Sequence, residues 1–80
     1  MDPDELREKL KEQPFEPFEV VMTNGDRFSV RHSEMAHLTV DTLYVFRDID
    51  AEREIAVGPS IRCAVVNIST LEPLPEKKAS

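Results

Sequence analysis

The 80-residue chain has a single cysteine and no apolar run that approaches the roughly 20 residues needed to cross a bilayer. One cysteine excludes a disulfide within the chain and a cluster of thiolate metal ligands, which is typical of proteins in a reducing compartment. We expect Cys63 to be a buried, unreactive thiol. Residues 1–5 are acidic and polar, whereas a secretory signal begins basic and continues apolar. These features predict a cytoplasmic protein without a membrane segment.

The sequence also lacks the residue patterns that carry chemistry. It shows no nucleophile with its base and no glycine-rich phosphate loop, and it has only two glycines. His32 and His37, with Glu34 between them, are the nearest approach to a metal-ligand set, and histidines at this spacing in a turn are more often ordinary surface or packed residues. We therefore expect no enzymatic activity, no cofactor, no metal and no small-molecule substrate.

Basic residues are outnumbered by acidic ones, 10 to 16, which gives a net charge of −6 at pH 7. Affinity for nucleic acid comes mostly from Lys and Arg side chains that neutralise phosphates, so this balance disfavours an RNA-binding protein. The net negative charge is still compatible with a local basic patch. The residues that could form one, with a stacking surface for a base, are Arg27, Arg31, Arg47, Tyr44 and Phe46. In the alternative interpretation, Arg31 forms an exposed ion pair with an acidic neighbour such as Glu19.

The composition, 40% hydrophobic and 32% charged, is that of one small globular domain with a thin core. A helix is predicted at about residues 3–12, because Asp2 can cap its free amides and Pro3 suits its first position. Leu6 and Leu10 lie one turn apart on one face of this helix. Two leucines cannot stabilise a helix alone, so the helix must pack across another element.

Residues 17–30 predict a β-hairpin around Gly25. A two-residue turn would scatter the apolar side chains over both faces of the sheet. A three-residue loop, with Gly25 in the left-handed region and forming a bulge, sets Val20 opposite Phe28 and gathers the apolar side chains on one face. We therefore predict the bulged hairpin.

Further short strands follow, and proline ends the last of them because it cannot donate to a ladder. The predicted elements are, in order, a helical turn capped by Ser33, strands at 38–40 and 43–46, a solvated loop at 47–54, an edge segment at 55–57 that ends at Gly58-Pro59, a strand at 61–66, a tight turn at 67–69 and a strand at 70–72. This order predicts a mainly β domain over residues 1–75 with an N-terminal α-helix and about five strands in a small bent antiparallel sheet. A disordered tail is predicted at residues 76–80.

The apolar stretch of residues 61–68 has two interpretations. It is either core within one chain or an edge that another subunit covers, because an uncovered edge of this composition would invite aggregation. The candidate interface residues are Ile61, Cys63, Val65, Val66 and Ile68.

One helix followed by short strands, with a tight turn before the last, resembles the small SH3-like, Sm-like barrels. Residues 17–25, Pro-Phe-Glu-Val-Val-Met-Thr-Asn-Gly, look like the first strand and Asn-Gly turn of the bacterial Sm-like RNA chaperones of the host factor Q type. Residues 67–73, Asn-Ile-Ser-Thr-Leu-Glu-Pro, are similar to the second motif of that family, where an Ile-Ser-Thr-aliphatic-x-Pro run closes the barrel. The resemblance implies a barrel over about residues 17–74.

The same resemblance fails at the RNA site of the family. Just before the Ile-Ser-Thr run, those chaperones carry an aromatic residue, a Lys and a His that contact RNA, and the matching positions here are Ala64, Val65 and Val66. The chain also resembles a group of short bacterial proteins with a Pro-Phe-x-Pro-Phe entry and an Ile-x-x-Ile/Leu-Glu-Pro-Leu close, and that group implies no activity. We therefore expect a non-enzymatic Sm-like module that acts through protein contacts and self-associates by its edge strands. The alternative is an RNA-binding relative that uses Arg27, Arg31, Tyr44 and Phe46.

Overall fold

The computed structural model describes residues 1–50, 52–53 and 55–74. The elements are α1 (Pro3–Lys11), β1 (Phe18–Met22), β2 (Arg27–Val30), β3 (Ala36–Leu38), β4 (Thr42–Asp50), β5 (Ile55–Ala64) and β6 (Ile68–Pro73), with 3₁₀ turns at Ser33–Met35 and Val65–Asn67. The strands form two antiparallel three-stranded sheets, sheet 1 in the order β2-β1-β6 and sheet 2 in the order β3-β4-β5. The mainly β fold with an N-terminal helix is confirmed. Within the described ranges no ladder joins the two sheets into a closed barrel.

The helix begins and packs as predicted, and it ends one residue earlier, at Lys11. An Asp2 carboxylate oxygen accepts a hydrogen bond of 2.9 Å from the Asp4 amide, which satisfies one of the free donors of the first turn. Leu6 is fully buried, and the partly buried Leu10 packs against the core. The helix is therefore held by the apolar side chains that it covers.

The first hairpin has the predicted bulged loop. Val20 lies opposite Phe28 in the ladder, and Gly25 has a φ of +96°, in the left-handed region that favours glycine. The Gly25 amide donates to the Met22 carbonyl at 2.9 Å, and the Met22 amide donates to the Asp26 carbonyl at 2.8 Å. The parity of the apolar residues was thus sufficient to predict the register.

The last strand returns to pair with the first, and Val20 also lies opposite Leu71 of β6. The predicted turn at 67–69 is wrong by about two residues, since the 3₁₀ turn occupies Val65–Asn67 and β6 begins at Ile68. The reason is packing: the Ile68 side chain is buried in the core, and the Asn67 carbonyl accepts a 2.8 Å hydrogen bond from the Thr23 amide. Sheet 1 therefore pairs the first strand of the chain with the last.

The predicted solvated loop at 47–54 is wrong for residues 47–50 and is confirmed for the exposed turn at 52–53, and the predicted break at Gly58-Pro59 is wrong. β4 continues to Asp50, and β5 runs through the Gly-Pro pair from Ile55. The ladder is irregular between Phe46 and Asp48, and Gly58 opposite has a φ of +84°, which relieves the mismatch. Pro59 is tolerated because β5 is an edge strand, where its missing amide breaks no ladder.

A single 3₁₀ turn carries the chain from sheet 1 to sheet 2. The predicted helical turn is confirmed, at Ser33–Met35, but the predicted Ser33 cap is wrong: His32 is the N-cap residue and makes no side-chain capping bond. The Met35 amide donates to the His32 carbonyl at 2.9 Å, and the Met35 side chain is buried.

One cluster of buried apolar side chains lies between the two sheets and the helix. Its members are Leu6, Phe18, Val20, Val30, Leu43, Val45, Cys63, Val65 and Ile68. Every strand except β3 contributes to this cluster, and Ala36 and Leu38 of β3 pack against it, so the two sheets share one core. The predicted tail at 76–80 lies outside the described residues.

Candidate functional site

A cleft of about 380 Å³ opens between β2 of sheet 1 and strands β4 and β5 of sheet 2. Its lining is of two kinds, apolar side chains and arginines, with Ser29 between them. The apolar members are Phe28, Met35, Val45, Phe46 and Ile61, and the arginines are Arg27, Arg31 and Arg47. A cleft of this size and composition falls in the range that proteins use for ligands.

The cleft brings together three of the four predicted RNA-contact residues, Arg27, Arg31 and Phe46. Tyr44 is not among the residues that line it. The Tyr44 ring lies instead beside the His37 ring, with centroids 6.4 Å apart, across the β3–β4 ladder. The predicted surface is therefore divided, and Tyr44 does not supply a stacking platform in the cleft.

Arg27 is already engaged by two carboxylates. Its Nη1 donates to Glu72 Oε1 at 3.0 Å and to Glu19 Oε1 at 2.8 Å, which links β2, β1 and β6 across the face of sheet 1. The Glu72 and Glu19 hydrogen bonds raise the pKa of Arg27 above its ordinary value. The predicted pair between Glu19 and Arg31 is wrong, because β2 ends at Val30 and Arg31 leaves the sheet.

Arg31 and Arg47 have no ion-pair partner among the described residues, and both are exposed. Arg47 lies at the irregularity of the β4–β5 ladder, between the Phe46–Ser60 and Asp48–Val57 pairs. The extra residue of this bulge is on β5, where Gly58 and Pro59 together lie opposite Arg47, and Phe46 and Arg47 both line the cleft. The cleft thus presents two unneutralised positive charges in an acidic chain.

A second surface is the outer edge of β5. This strand is ten residues long and pairs with β4 on one side, and no other described strand lies on its free side. Its first half exposes two apolar side chains on one face, Ile55 at 49% and Val57 at 36% of their full surface. The backbone amides and carbonyls of such an edge are open to another strand.

The predicted interface residues fall in different environments. Cys63, Val65 and Ile68 are buried in the core of the same chain, as in the interpretation of this stretch as core within one chain. Ile61 is partly buried in the cleft, whereas Val66 is 80% exposed. Residues 61–68 are therefore not a free apolar edge, because the core takes the inward side chains. Sequence reasoning missed the exposed apolar pair at the start of β5, whose signal was the alternation at 55–57.

Cys63 is fully buried, and its burial raises the pKa of its thiol. We expect Cys63 in the folded protein to resist alkylation at neutral pH and to react at once in urea, because the reactive form is the thiolate. Unfolding releases the thiol to its ordinary pKa of about 8.5, so the contribution of Cys63 to stability is present below that pH and is lost as pH rises above it. Urea unfolding at increasing pH, compared with Cys63→Ala, measures this slope. Rapid labelling of the folded protein would contradict the expectation.

In the described part of the chain no three His, Cys, Asp or Glu side chains converge on a position that could hold a metal ion. The described helix is too short and too polar to cross a membrane. Comparison of the chain with protein-family models, with curated proteins and with solved structures finds no match. The resemblance to the Sm-like family stays a prediction.

Proposed function

We propose that this chain is a cytoplasmic, non-enzymatic, Sm-like module that acts through protein–protein contacts and self-associates by strand pairing along the edge of β5. The observation that carries this proposal is the ten-residue edge strand with Ile55 and Val57 exposed at its start. Strand addition to such an edge gains main-chain hydrogen bonds, while the alternate side chains supply apolar contact.

The topology supports the Sm-like part of the proposal. The last strand pairs with the first, and a 3₁₀ turn at Val65–Asn67 comes directly before the segment that resembles the second Sm motif. Sheets 1 and 2 follow one another through the single turn at Ser33–Met35, as the two halves of one bent sheet would. The two sheets also share one core.

Two physical arguments favour β5 as the contact. A chain of 80 residues buries a smaller share of its surface than a larger domain does, so association adds apolar burial that the single chain cannot supply. The free edge of β5 is also longer than that of the other outer strand of sheet 2, the three-residue β3. Proline and a bulge at Gly58-Pro59 interrupt the middle of this edge, and the segment before them exposes apolar side chains without a charge that would deter pairing.

Light scattering over a range of protein concentrations tests the proposal. We expect the mass to rise above the 9.1 kDa of the single chain as concentration increases. Added salt should leave the rise in place, because backbone pairing and apolar contact are not screened as surface charges are. A mass of 9.1 kDa at every concentration would overturn the self-association.

RNA binding, the alternative predicted from the sequence, has weaker support. Of its four residues, Arg27 is held by Glu72 and Glu19, and Tyr44 lies outside the cleft. That leaves Arg31 and Phe46, with Arg47 beside them in the cleft, as a surface for nucleic acid in a chain with a net charge of −6. Its signature is affinity for an A-rich or U-rich oligomer that falls steeply with salt.

A further inference from the structure

We propose that the cleft between the two sheets binds an acidic segment of a partner protein, with an apolar side chain of that segment on the cleft floor and a neighbouring carboxylate at Arg31 and Arg47. This inference rests on the proposed role in protein contacts, but it does not depend on self-association through β5. It names a second surface and the chemical class of its ligand.

The floor of the cleft suits an aliphatic or aromatic side chain. Met35 and Val45 are buried, and Phe28 and Ile61 are partly buried at the margin of the core. Removal of a ligand side chain from water here would contribute roughly 25 cal/mol for each Å² of apolar surface buried. The volume of about 380 Å³ limits the ligand to a short segment of chain.

The rim of the cleft suits a carboxylate. Arg31 and Arg47 carry planar guanidinium groups that can donate two parallel hydrogen bonds to a carboxylate. Neither has an ion-pair partner among the described residues, so a ligand would not have to displace one. Arg27, which also lines the cleft, has its charge met by two carboxylates of the same chain.

The charge balance favours an acidic peptide over RNA. Arg31 and Arg47, which have no ion-pair partner in the described part of the chain, match one or two carboxylates, whereas an RNA strand brings a phosphate at each nucleotide toward a chain with 16 acidic residues. Single-stranded RNA also needs aromatic platforms, and three of the five apolar residues here, Met35, Val45 and Ile61, are aliphatic.

The test uses the full chain labelled with nitrogen-15 and the peptide acetyl-Glu-Leu-Glu-Phe-Glu-amide as probe. Titration should shift the amide signals of Arg31, Phe46 and Ile61 in a saturable way. Arg31→Glu and Arg47→Glu should each weaken binding by about tenfold or more, because each removes a charge-assisted contact and adds a repulsive charge. Arg62→Glu is the matched control, since Arg62 is exposed, has no described ion-pair partner and lies outside the cleft.

Three further measurements distinguish a carboxylate ligand from other ligands and separate this proposal from self-association. A peptide with Gln for Glu should bind much more weakly than the probe, and equal binding would overturn the carboxylate role. No saturable shift at the cleft would overturn the inference, as would preferential binding of a U-rich or A-rich RNA oligomer there. Light scattering on the same variants keeps the two proposals separate: a mass that rises while the peptide fails to bind leaves self-association standing.

Discussion

Replacement of Phe18 by alanine is expected to lower the free energy of unfolding by about 3–5 kcal/mol, the usual cost of deleting a fully buried phenylalanine side chain. Phe18 has no exposed surface, lies on the central strand of sheet 1 and belongs to the shared core. A chain of 80 residues has a total stability of roughly 4–12 kcal/mol. The variant should therefore be unfolded in part at room temperature.

Urea unfolding followed by circular dichroism measures this effect, and Phe15→Ala is the matched control. The Phe15 ring lies 5.9 Å from the Phe18 ring but is only partly buried. We expect the control to lose less than half as much stability, because less apolar surface is returned to water. Equal losses for the two variants would show that the core is not centred where the structure puts it.

The double substitution Ile55→Lys with Val57→Lys is expected to keep the protein at its single-chain mass at concentrations where the natural chain associates. Lysine on an edge strand opposes strand addition through its charge and its solvation, and this change replaces the exposed apolar pair of β5. The fold should survive, since both side chains are at least one-third exposed. Light scattering and circular dichroism on the same samples separate lost association from lost folding.

Val40→Lys and Val66→Lys are the controls for that experiment. Both residues are valines that stand exposed away from β5, at 87% and 80% of their full surface. Val40→Lys should associate like the natural chain. If Val66→Lys alone blocks association, the contact lies at the turn before β6, and the edge of β5 is not the interface.

Local features of this fold could be predicted from the sequence. The helix start depended on Asp2 and Pro3, and the bulged hairpin depended on the parity of Val20 and Phe28 around Gly25. Each of these involves residues that are close along the chain, so steric preference and side-chain periodicity decide the outcome. The buried state of Cys63 was also predicted correctly.

Features that depend on distant pairing could not be predicted in this way. Glu72 reaches Arg27 only because β6 returns to lie beside β1, a pairing of segments far apart along the chain. The irregular ladder beside Arg47 depends on the pairing of β4 with β5, and its sequence signal, Gly58-Pro59, lies on the opposite strand. The role of Gly58 inside β5 likewise appears only once the opposite strand is in place.

Amide hydrogen exchange of β5 at low and high protein concentration tests the proposed edge pairing most directly. We expect the β5 amides that point away from β4 to exchange more slowly as concentration rises, because a second chain then accepts their hydrogen bonds. The amides of β3, the other outer strand of sheet 2, should keep one rate throughout. A mass that rises with concentration while β5 exchange stays constant would contradict the account and assign the association to another surface.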